Sequence, residues 1–288
     1  EKKGYSHDNM PIARHGINDT DSSHPPCQTT GTCKYCPFGA RYVAANYLDD
    51  MKRYNDYPNF QIRINSFVRN LEMNSKSEAD GVVFHDTKED QWYKVSAKTV
   101  IVAAGAIESA KLLLRSKPVD FWPYGVGNDF DLVGRNLITH PYFIYQAEID
   151  ENPDRLQPEM NFPTMVSRYF DSKEQQRFGK FILVSTPSAP VPVNEDDKST
   201  SIVKMMQEGK TREQIDAQIK GKSIVQIHGI IEVFSEYKNR VKNLNKINHL
   251  GLIETEVKYE KPKNFDCRME VVEDILEGLF EEMGAKNV

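Results

Sequence analysis

The sequence predicts an α/β (α+β) fold, in which one buried strand–helix step precedes a mainly antiparallel β-sheet with flanking helices. Three observations predict it. Residues 99–106 form a continuous apolar run closed by glycine and followed by a helical pattern, which is typical of a buried strand that feeds a helix. Strand-like alternation recurs after Pro141, and residues 266–283 carry the apolar spacing of an amphipathic helix.

The same periodicities predict the elements in chain order, after a turn-rich opening of about forty residues that shows little periodicity. The predicted elements are a helix over 42–53, a strand over 59–68, a hairpin of 81–86 and 91–95, a helix over 108–115, strands over 142–149, 181–185, 223–234 and 251–259, and helices over 211–220 and 266–283. A polar, proline- and lysine-rich stretch, 187–222, interrupts the later strands, and we interpret it as an excursion from a sheet domain.

Composition and charge exclude several classes of protein. The 288 residues are 39% hydrophobic and 27% charged, as in an ordinary globular protein. The net charge of -5 leaves no basic face of the kind that nucleic-acid partners need. No apolar run reaches the length that spans a bilayer, so the sequence predicts no transmembrane segment.

The cysteines are unevenly distributed. Cys27, Cys33 and Cys36 lie within ten residues of one another, whereas Cys267 stands far away. A disulfide scaffold distributes an even number of cysteines along a short chain, so the cluster instead indicates a metal or cluster site, or a reactive-thiol pocket. Zinc is the weaker option, because its fourth ligand would have to come from Cys267.

The glycines do not form a phosphate-binding loop. Gly125, Gly127 and Gly134 lack the third glycine at the required spacing, and no buried strand leads into them. We therefore interpret Gly125–Gly127 as a turn. The pyrophosphate loop of a dinucleotide-binding fold is expected to be absent from this chain.

Residues 59–116 resemble a segment of the glucose–methanol–choline (GMC) oxidoreductases. The resemblance rests on a strand that ends in Phe67-Val68-Arg69, a hairpin at Gly81, and the run 97–109, AKTVIVAAGAIES. It implies a partial, Rossmann-like FAD-binding domain in which the backbone of Val68 meets the adenine and a turn of small residues packs beside the adenosine. The cofactor-binding residues that it implies in this segment are Val68, Ala103, Ala104, Gly105 and Ala106.

A second match begins at Gly127-Asn128 and continues through residues 132–141, LVGRNLITHP, which look like the family's passage out of the FAD domain. The resemblance implies a partial FAD-binding domain over 1–141, with a cysteine-rich loop at 27–42, and a partial substrate-binding domain over 142–288. It adds Asn136 and His140 to the predicted cofactor-binding residues.

The cysteine-rich stretch indicates one group of proteins within the family. Cys27-x5-Cys33-x2-Cys36 followed by Pro-Phe-Gly-Ala-Arg-Tyr is similar to the cysteine-rich stretch of bacterial glucose, gluconate and fructose dehydrogenases. Several of those flavoproteins carry a [3Fe-4S] cluster, and three thiolates suit three irons. Cholesterol and long-chain alcohol oxidases of the same superfamily have similar cysteines and no cluster, so both interpretations stay open.

The resemblance implies an FAD-dependent dehydrogenase that oxidises CH-OH groups of sugars, sugar acids or related alcohols, by proton abstraction and hydride transfer to flavin. Electrons would pass to a cytochrome or quinone partner or a small partner subunit rather than to oxygen. The catalytic residues are unknown, because the family's histidine motif is expected beyond Val288, while His228 and His249 are interpreted as ordinary histidines. We expect the chain alone to be an inactive fragment.

Two other functions remain open at this stage. One is an alcohol or sterol oxidase of the same superfamily, without a cluster and using oxygen. The other is a non-catalytic binding module with a structural cysteine cluster. The resemblance implies a periplasmic location, with a cytoplasmic one as the alternative.

Overall fold

The computed structural model describes most of the chain in two compact units. The described residues are 4–11, 13–16, 24–27, 36, 38–53, 57–117, 122–149, 165–168, 180–186, 198–219, 223–249, 251–262 and 265–288. Unit 1 comprises Glu1–Pro58, His140–Glu232 and Lys263–Val288, and unit 2 comprises Asn59–Thr139 and Val233–Pro262. None of the helices in these residues has the length and apolar character that crossing a membrane requires.

Helices and mainly antiparallel strands make up both units, which confirms the predicted α/β fold class. In chain order the described elements are β1 (Asp8–Asn9), α1 (Ala44–Arg53), β2 (Ser66–Met73), β3 (Ala79–Asp86), β4 (Gln91–Ser96), α2 (Gly105–Arg115), β5 (Tyr142–Ile149), β6 (Met165–Ser167), β7 (Phe181–Thr186), α3 (Lys198–Gln207), α4 (Arg212–Ile219), β8 (Ser223–Ile231), β9 (Arg240–Ile247), β10 (Ile253–Lys258) and α5 (Phe265–Glu282). The assignment of 1–141 and 142–288 to two functional domains stays a prediction.

Unit 1 is built on a five-stranded antiparallel sheet with the order β1-β6-β7-β8-β5. Helix α5 packs against one face of this sheet through Val272, Leu276 and Phe280, which are at most 1% exposed. Burial of each such side chain stabilises the fold by roughly 1.5–3 kcal/mol. Gly284, with φ +64°, follows the helix in the left-handed conformation that ends many helices. The predicted amphipathic helix is therefore confirmed.

Unit 2 combines a three-stranded meander, β2-β3-β4, with a two-stranded hairpin, β9-β10. Helix α2 lies against both β2 and β9. Its Leu112 and Leu114 are buried, as are Leu71 of β2 and Val241 of β9. Gly134, in the segment between α2 and β5, lies against β9, and its carbonyl accepts a hydrogen bond of 2.7 Å from the N–H of Val241.

Two predicted strands are wrong in part. The structure assigns no strand to residues 97–104, and Ile101 is 85% exposed, whereas the sequence predicted a buried strand there. A buried strand needs neighbours on both edges, and this run pairs with none within the described part of the chain. Strand β2 begins only at Ser66, because Asn65 has φ +57°, which is incompatible with an extended strand.

Two elements were missed because their residues are mostly polar. Strand β9 reads RVKNLNKI, which resembles a loop in composition. Cross-strand ion pairs to β10 accompany its pairing, between Lys242 and Glu256 at 2.6 Å and between Lys246 and Glu254 at 3.0 Å. Helix α3 lies inside the predicted excursion and has no apolar stripe of the usual width.

Candidate functional site

A cleft of about 520 Å³ opens in unit 2 between strand β2, the run 100–104 and helix α2. It is lined by Ser66, Phe67, Val68, Leu71, Val82, Val100, Ile101, Val102, Ala103, Ala104, Glu108, Leu112 and Arg115. Three of the predicted cofactor-binding residues, Val68, Ala103 and Ala104, therefore line the same cleft. Most of the lining is apolar, which suits a flat ring rather than a strongly charged ligand.

The floor of the cleft leads directly into helix α2. Gly105, the first residue of the helix, has φ +82°, and a Cβ added there would meet no atom within 4 Å. No side chain caps the first turn, and the Oγ of Ser109 accepts a hydrogen bond of 3.1 Å from the N–H of Ala104. Small side chains thus leave the backbone of this turn open to close approach by a ligand.

Arg115 forms the opposite end of the cleft and fixes its shape. Its Nε donates to the carbonyl of Arg69 at 2.5 Å, and its Nη2 donates to the carbonyl of Val68 at 2.6 Å. The guanidinium also lies 5.2 Å from the centre of the Phe67 ring. Half-buried and in contact with no carboxylate, this side chain has its pKa lowered by desolvation, and the more distant charge of Glu108 opposes that shift.

The residue after Arg115 locks the end of helix α2 to strand β2. The side chain of Ser116 is fully buried, and its Oγ accepts a hydrogen bond of 2.8 Å from the N–H of Leu71. The same hydroxyl donates to the carbonyl of Leu112 at 2.7 Å. The hydroxyl therefore both donates and accepts a hydrogen bond, as a buried polar group requires.

The charges in the cleft are few. Glu108, in the first turn of helix α2, forms an ion pair of 2.6 Å with Lys111. A carboxylate at a helix N-terminus is favourably placed against the helix dipole. The described lining includes no histidine and no acid–base pair, so the geometry is that of a binding cleft rather than a catalytic centre.

The remaining predicted cofactor-binding residues lie outside the cleft or at its edge. Gly105 and Ala106 open helix α2, directly after Ala104. Asn136 is exposed in a turn of unit 2 with φ +56°, and His140 is exposed in unit 1. Their roles stay predictions, as do the roles of the residues that line the cleft.

The cysteine stretch belongs to unit 1 and is described only in part. Cys27 and Cys36 are half-buried, whereas Cys33 lies outside the described residues. Burial raises the pKa of Cys36, but hydrogen bonds from the backbone of Arg41, Phe38, Ala40 and Gly39 outweigh it, so the net pKa lies below its usual value. Cys27 accepts a contact of 3.6 Å from Nη1 of Arg14.

No group of three or more metal-binding side chains occurs among the residues that the structure describes. The predicted three-cysteine site includes Cys33, so it stays a prediction. The donors around Cys36 are those that a thiolate needs, and N–H groups directed at sulfur are also a feature of cluster ligands. The described thiols are therefore compatible with a thiolate site.

The two charged residues that line the cleft, Glu108 and Arg115, were not predicted from the sequence. A sequence signal existed for Glu108, because a carboxylate in the first turn of a predicted helix faces whatever lies at its N-terminus. For Arg115 the only signal was a cation in the last turn, which usually reflects the helix dipole alone. Its contact with β2 depends on a pairing that the sequence does not reveal.

Comparison with known proteins agrees with the family resemblance found in the sequence. Residues 10–142 match the family model of the GMC oxidoreductases. The fructose dehydrogenase large subunit of Gluconobacter japonicus is 33% identical over 141 residues, which are 49% of this chain and 24% of that protein. The 6'''-hydroxyparomomycin C oxidase of Streptomyces lividus is 33% identical over 157 residues, which are 53% of this chain and 28% of that protein.

The chain thus spans about a quarter of the length of the curated relatives it matches. The match to the family model contains the whole cleft, from Ser66 to Arg115. It also contains both described cysteines of the N-terminal stretch. The family's N-terminal domain is a Rossmann-like FAD-binding domain, in agreement with the resemblance found in the sequence. By these matches, residues 10–142 of the chain are similar to the GMC oxidoreductase family.

Proposed function

We propose that this chain is part of an FAD-dependent dehydrogenase that acts on CH-OH groups of sugars, sugar acids or related alcohols and passes electrons to an acceptor other than oxygen. One observation carries the proposal: Val68, Ala103 and Ala104, which the family resemblance assigns to the adenosine end of FAD, line a single cleft. Similarity to an oxidoreductase family supports the reaction class.

The residues of the cleft fit the adenosine part of FAD. Its walls are apolar, Ala103 and Ala104 allow close approach, and Glu108 offers a carboxylate that can accept a hydrogen bond from a ribose hydroxyl. Arg115 holds the carbonyl of Val68 in place at the edge of the cleft. When bound, FAD supplies the two-electron acceptor for oxidation of the alcohol carbon.

The substrate and the acceptor are proposed from the relatives. One relative is named as a fructose dehydrogenase large subunit, which supports a sugar substrate and a partner subunit. For this chain we further propose a [3Fe-4S] cluster held by Cys27, Cys33 and Cys36. The backbone donors around Cys36 support that part of the proposal, since they favour a thiolate.

A second candidate is a cluster-free oxidase of the same family. The observation in its favour is the relative named as an oxidase, whose identity of 33% equals that of the dehydrogenase subunit. The two candidates share the cleft and differ in the cysteines. In the oxidase, Cys27, Cys33 and Cys36 would hold no iron.

The experiment compares FAD binding by the chain and by Ala104→Leu, using the fluorescence of FAD. A leucine in the cleft removes space for the adenosine, so we expect affinity to fall by about tenfold or more, which corresponds to about 1.4 kcal/mol. The matched control is Ala97→Leu, because Ala97 lines a different cleft of unit 2. Equal affinity for all three proteins would contradict the assignment of the cleft to FAD.

A second measurement separates the two candidates. The chain is reconstituted anaerobically with iron and sulfide, and its absorption spectrum is compared with that of Cys36→Ser. A broad brown absorption that the variant lacks supports the dehydrogenase with a cluster. A spectrum without iron bands in both proteins supports the oxidase.

A further inference from the structure

A second cleft of unit 2, of about 310 Å³, lies on the other side of Arg115 and is polar rather than apolar. It is lined by Arg69, Asn70, Leu71, Glu72, Met73, Arg115, Lys117, Gly251, Leu252 and Ile253. Three cationic side chains and one carboxylate therefore face the same space. The proposed FAD cleft does not use Arg69 or Lys117.

The sole carboxylate in this lining already has two partners. Oε1 of Glu72 accepts a hydrogen bond of 2.7 Å from Asn70, and Oε2 lies 3.6 Å from Nζ of Lys94. Within the described residues, Arg69, Arg115 and Lys117 form no ion pair with any carboxylate. The cleft therefore carries an excess of positive charge.

The three cations are held by different features of the fold. Strand β2 contains a bulge between Val68 and Asn70, so that Arg69 has no paired residue on β3. The Arg69 guanidinium rests 5.2 Å from the centre of the Trp92 ring. That contact limits the conformational freedom of a long side chain before any ligand binds.

Arg115 and Lys117 flank the buried Ser116, which is hydrogen-bonded to Leu71 of the same cleft at 2.8 Å. The Nε and Nη2 atoms of Arg115 are used by two backbone carbonyls, and Nη1 has no hydrogen-bond partner among the described residues. A fixed guanidinium with free N–H groups is preorganised to bind an oxyanion.

The far wall is the turn of the β9–β10 hairpin. The side chain of Asn248 holds this turn by accepting a hydrogen bond of 3.0 Å from the N–H of Leu252, and Gly251, with φ +71°, forms its tip. The turn narrows the cleft without adding charge. Arg69 and Lys117 are exposed and Arg115 is half-buried, so the attraction of the cleft for an anion is screened by salt.

One electrostatic effect opposes anion binding, because the cleft lies at the C-terminal end of helix α2. A helix C-terminus carries about half a negative charge. Two of its last carbonyls are already engaged, that of Leu112 by Ser116 and that of Leu113 by the N–H of Val126. Three cations against one carboxylate and this half charge still leave the cleft positive.

We propose that this cationic cleft is a binding site for a phosphate group, either free or carried by a small metabolite. A tetrahedral dianion can accept N–H donors from Arg69, Arg115 and Lys117 at the same time, and a guanidinium matches its geometry with two parallel hydrogen bonds. The proposal does not rest on the proposed function, since neither FAD nor an alcohol substrate is needed for it.

The test is a calorimetric titration of the chain with inorganic phosphate and, separately, with glucose 6-phosphate, at constant ionic strength in chloride. Saturable binding of both probes with similar affinity assigns the site to the phosphate group itself. Tighter binding of glucose 6-phosphate alone assigns it to a phosphorylated metabolite. An absence of saturable heat with both probes would overturn the proposal.

The variant is the double substitution Arg69→Gln/Lys117→Gln, and we expect its affinity for phosphate to fall by about tenfold or more. Its control is Lys76→Gln/Lys98→Gln, which removes the same charge from unit 2 at exposed positions outside the cleft. Lys117→Gln alone serves as a second variant with a milder change. Equal losses in the double variant and the control would mean general charge attraction and would contradict the site.

A third titration is made with FAD present at saturation, because Arg115 lines both clefts. We expect phosphate to bind the FAD-loaded chain as well. Complete loss of phosphate binding would show that FAD occupies the cationic cleft, and would contradict a separate site. Failure of FAD to bind affects only the proposed function and leaves the phosphate result intact.

Discussion

The guanidinium of Arg115 donates a hydrogen bond of 2.6 Å to the backbone carbonyl of Val68, the residue at which strand β2 faces the cleft. The same side chain donates to the carbonyl of Arg69 at 2.5 Å. Both carbonyls belong to the bulge of β2, where the regular ladder leaves acceptors without partners. A side chain of helix α2 thus replaces the missing strand hydrogen bonds.

We expect Arg115→Leu to lower the free energy of unfolding by about 2 kcal/mol, because the part-buried carbonyl of Val68 and the exposed carbonyl of Arg69 both lose a charged donor. FAD affinity should fall as well, since Val68 loses its support. The control is Lys111→Leu on the same helix, whose ion pair with Glu108 is at the surface and contributes less than about 1 kcal/mol. Urea denaturation gives the free energy of unfolding of each variant. Equal midpoints for the two variants would refute this role of Arg115.

Ser116→Ala should destabilise unit 2 by about 1–3 kcal/mol, because the N–H of Leu71 would be left buried without an acceptor. Ser96→Ala is the matched control: Ser96 is exposed at the end of β4, and no side-chain hydrogen bond is described for it. Thermal or urea unfolding distinguishes them. A loss in Ser116→Ala no larger than that in Ser96→Ala would mean that the hydroxyl does not hold α2 to β2.

The hairpin of β3 and β4 was predictable because its signals are local: apolar alternation on both strands and a polar tract between them. The conformation of residues 99–106 was not predictable, because their apolar composition indicates burial but does not show which strands would pair with them. Val68, Ala103 and Ala104 came from family resemblance. The role of Arg115 could not be predicted, because it depends on a bulge and on contact between segments 46 residues apart.

Gly134→Ala should destabilise the chain more than Gly127→Ala does. Both glycines have positive φ, +81° and +71°, so both substitutions introduce about 1–2 kcal/mol of backbone strain. A Cβ at Gly134 would also come within 2.4 Å of the carbonyl oxygen of Val241, whereas none lies within 4 Å at Gly127. The steric contact adds about 1–3 kcal/mol. Similar unfolding midpoints would show that the loop adjusts freely.

Burial lowers the pKa of His228 below its usual value of 6.5. The unfolded chain then takes up a proton more readily than the folded one, so stability falls as the pH drops below about 6.5. His228→Gln should reduce that slope of stability with pH. Tyr142→Phe removes the hydroxyl that contacts Nδ1 of His228 but keeps the buried imidazole, so the slope should persist. Urea midpoints between pH 5 and pH 8 measure both.

The thiol of Cys36 should react with iodoacetamide at a lower pH than an ordinary cysteine does. Backbone hydrogen bonds outweigh burial there, so the midpoint of its alkylation rate should lie below the usual 9.0. Mass spectrometry of the labelled peptides gives the rate for each cysteine, and Cys36→Ser identifies the peptide. A midpoint at or above 9.0 would show that the backbone donors do not stabilise the thiolate.

The extended run 99–104 has a consequence for handling the protein. It presents apolar side chains, with Ile101 at 85% exposure, and it pairs with no strand among the described residues. Such an edge is the kind of surface on which β-rich polypeptides aggregate. The isolated chain should therefore aggregate more readily as its concentration rises, and Ile101→Lys would act as a gatekeeper against fibril-like association.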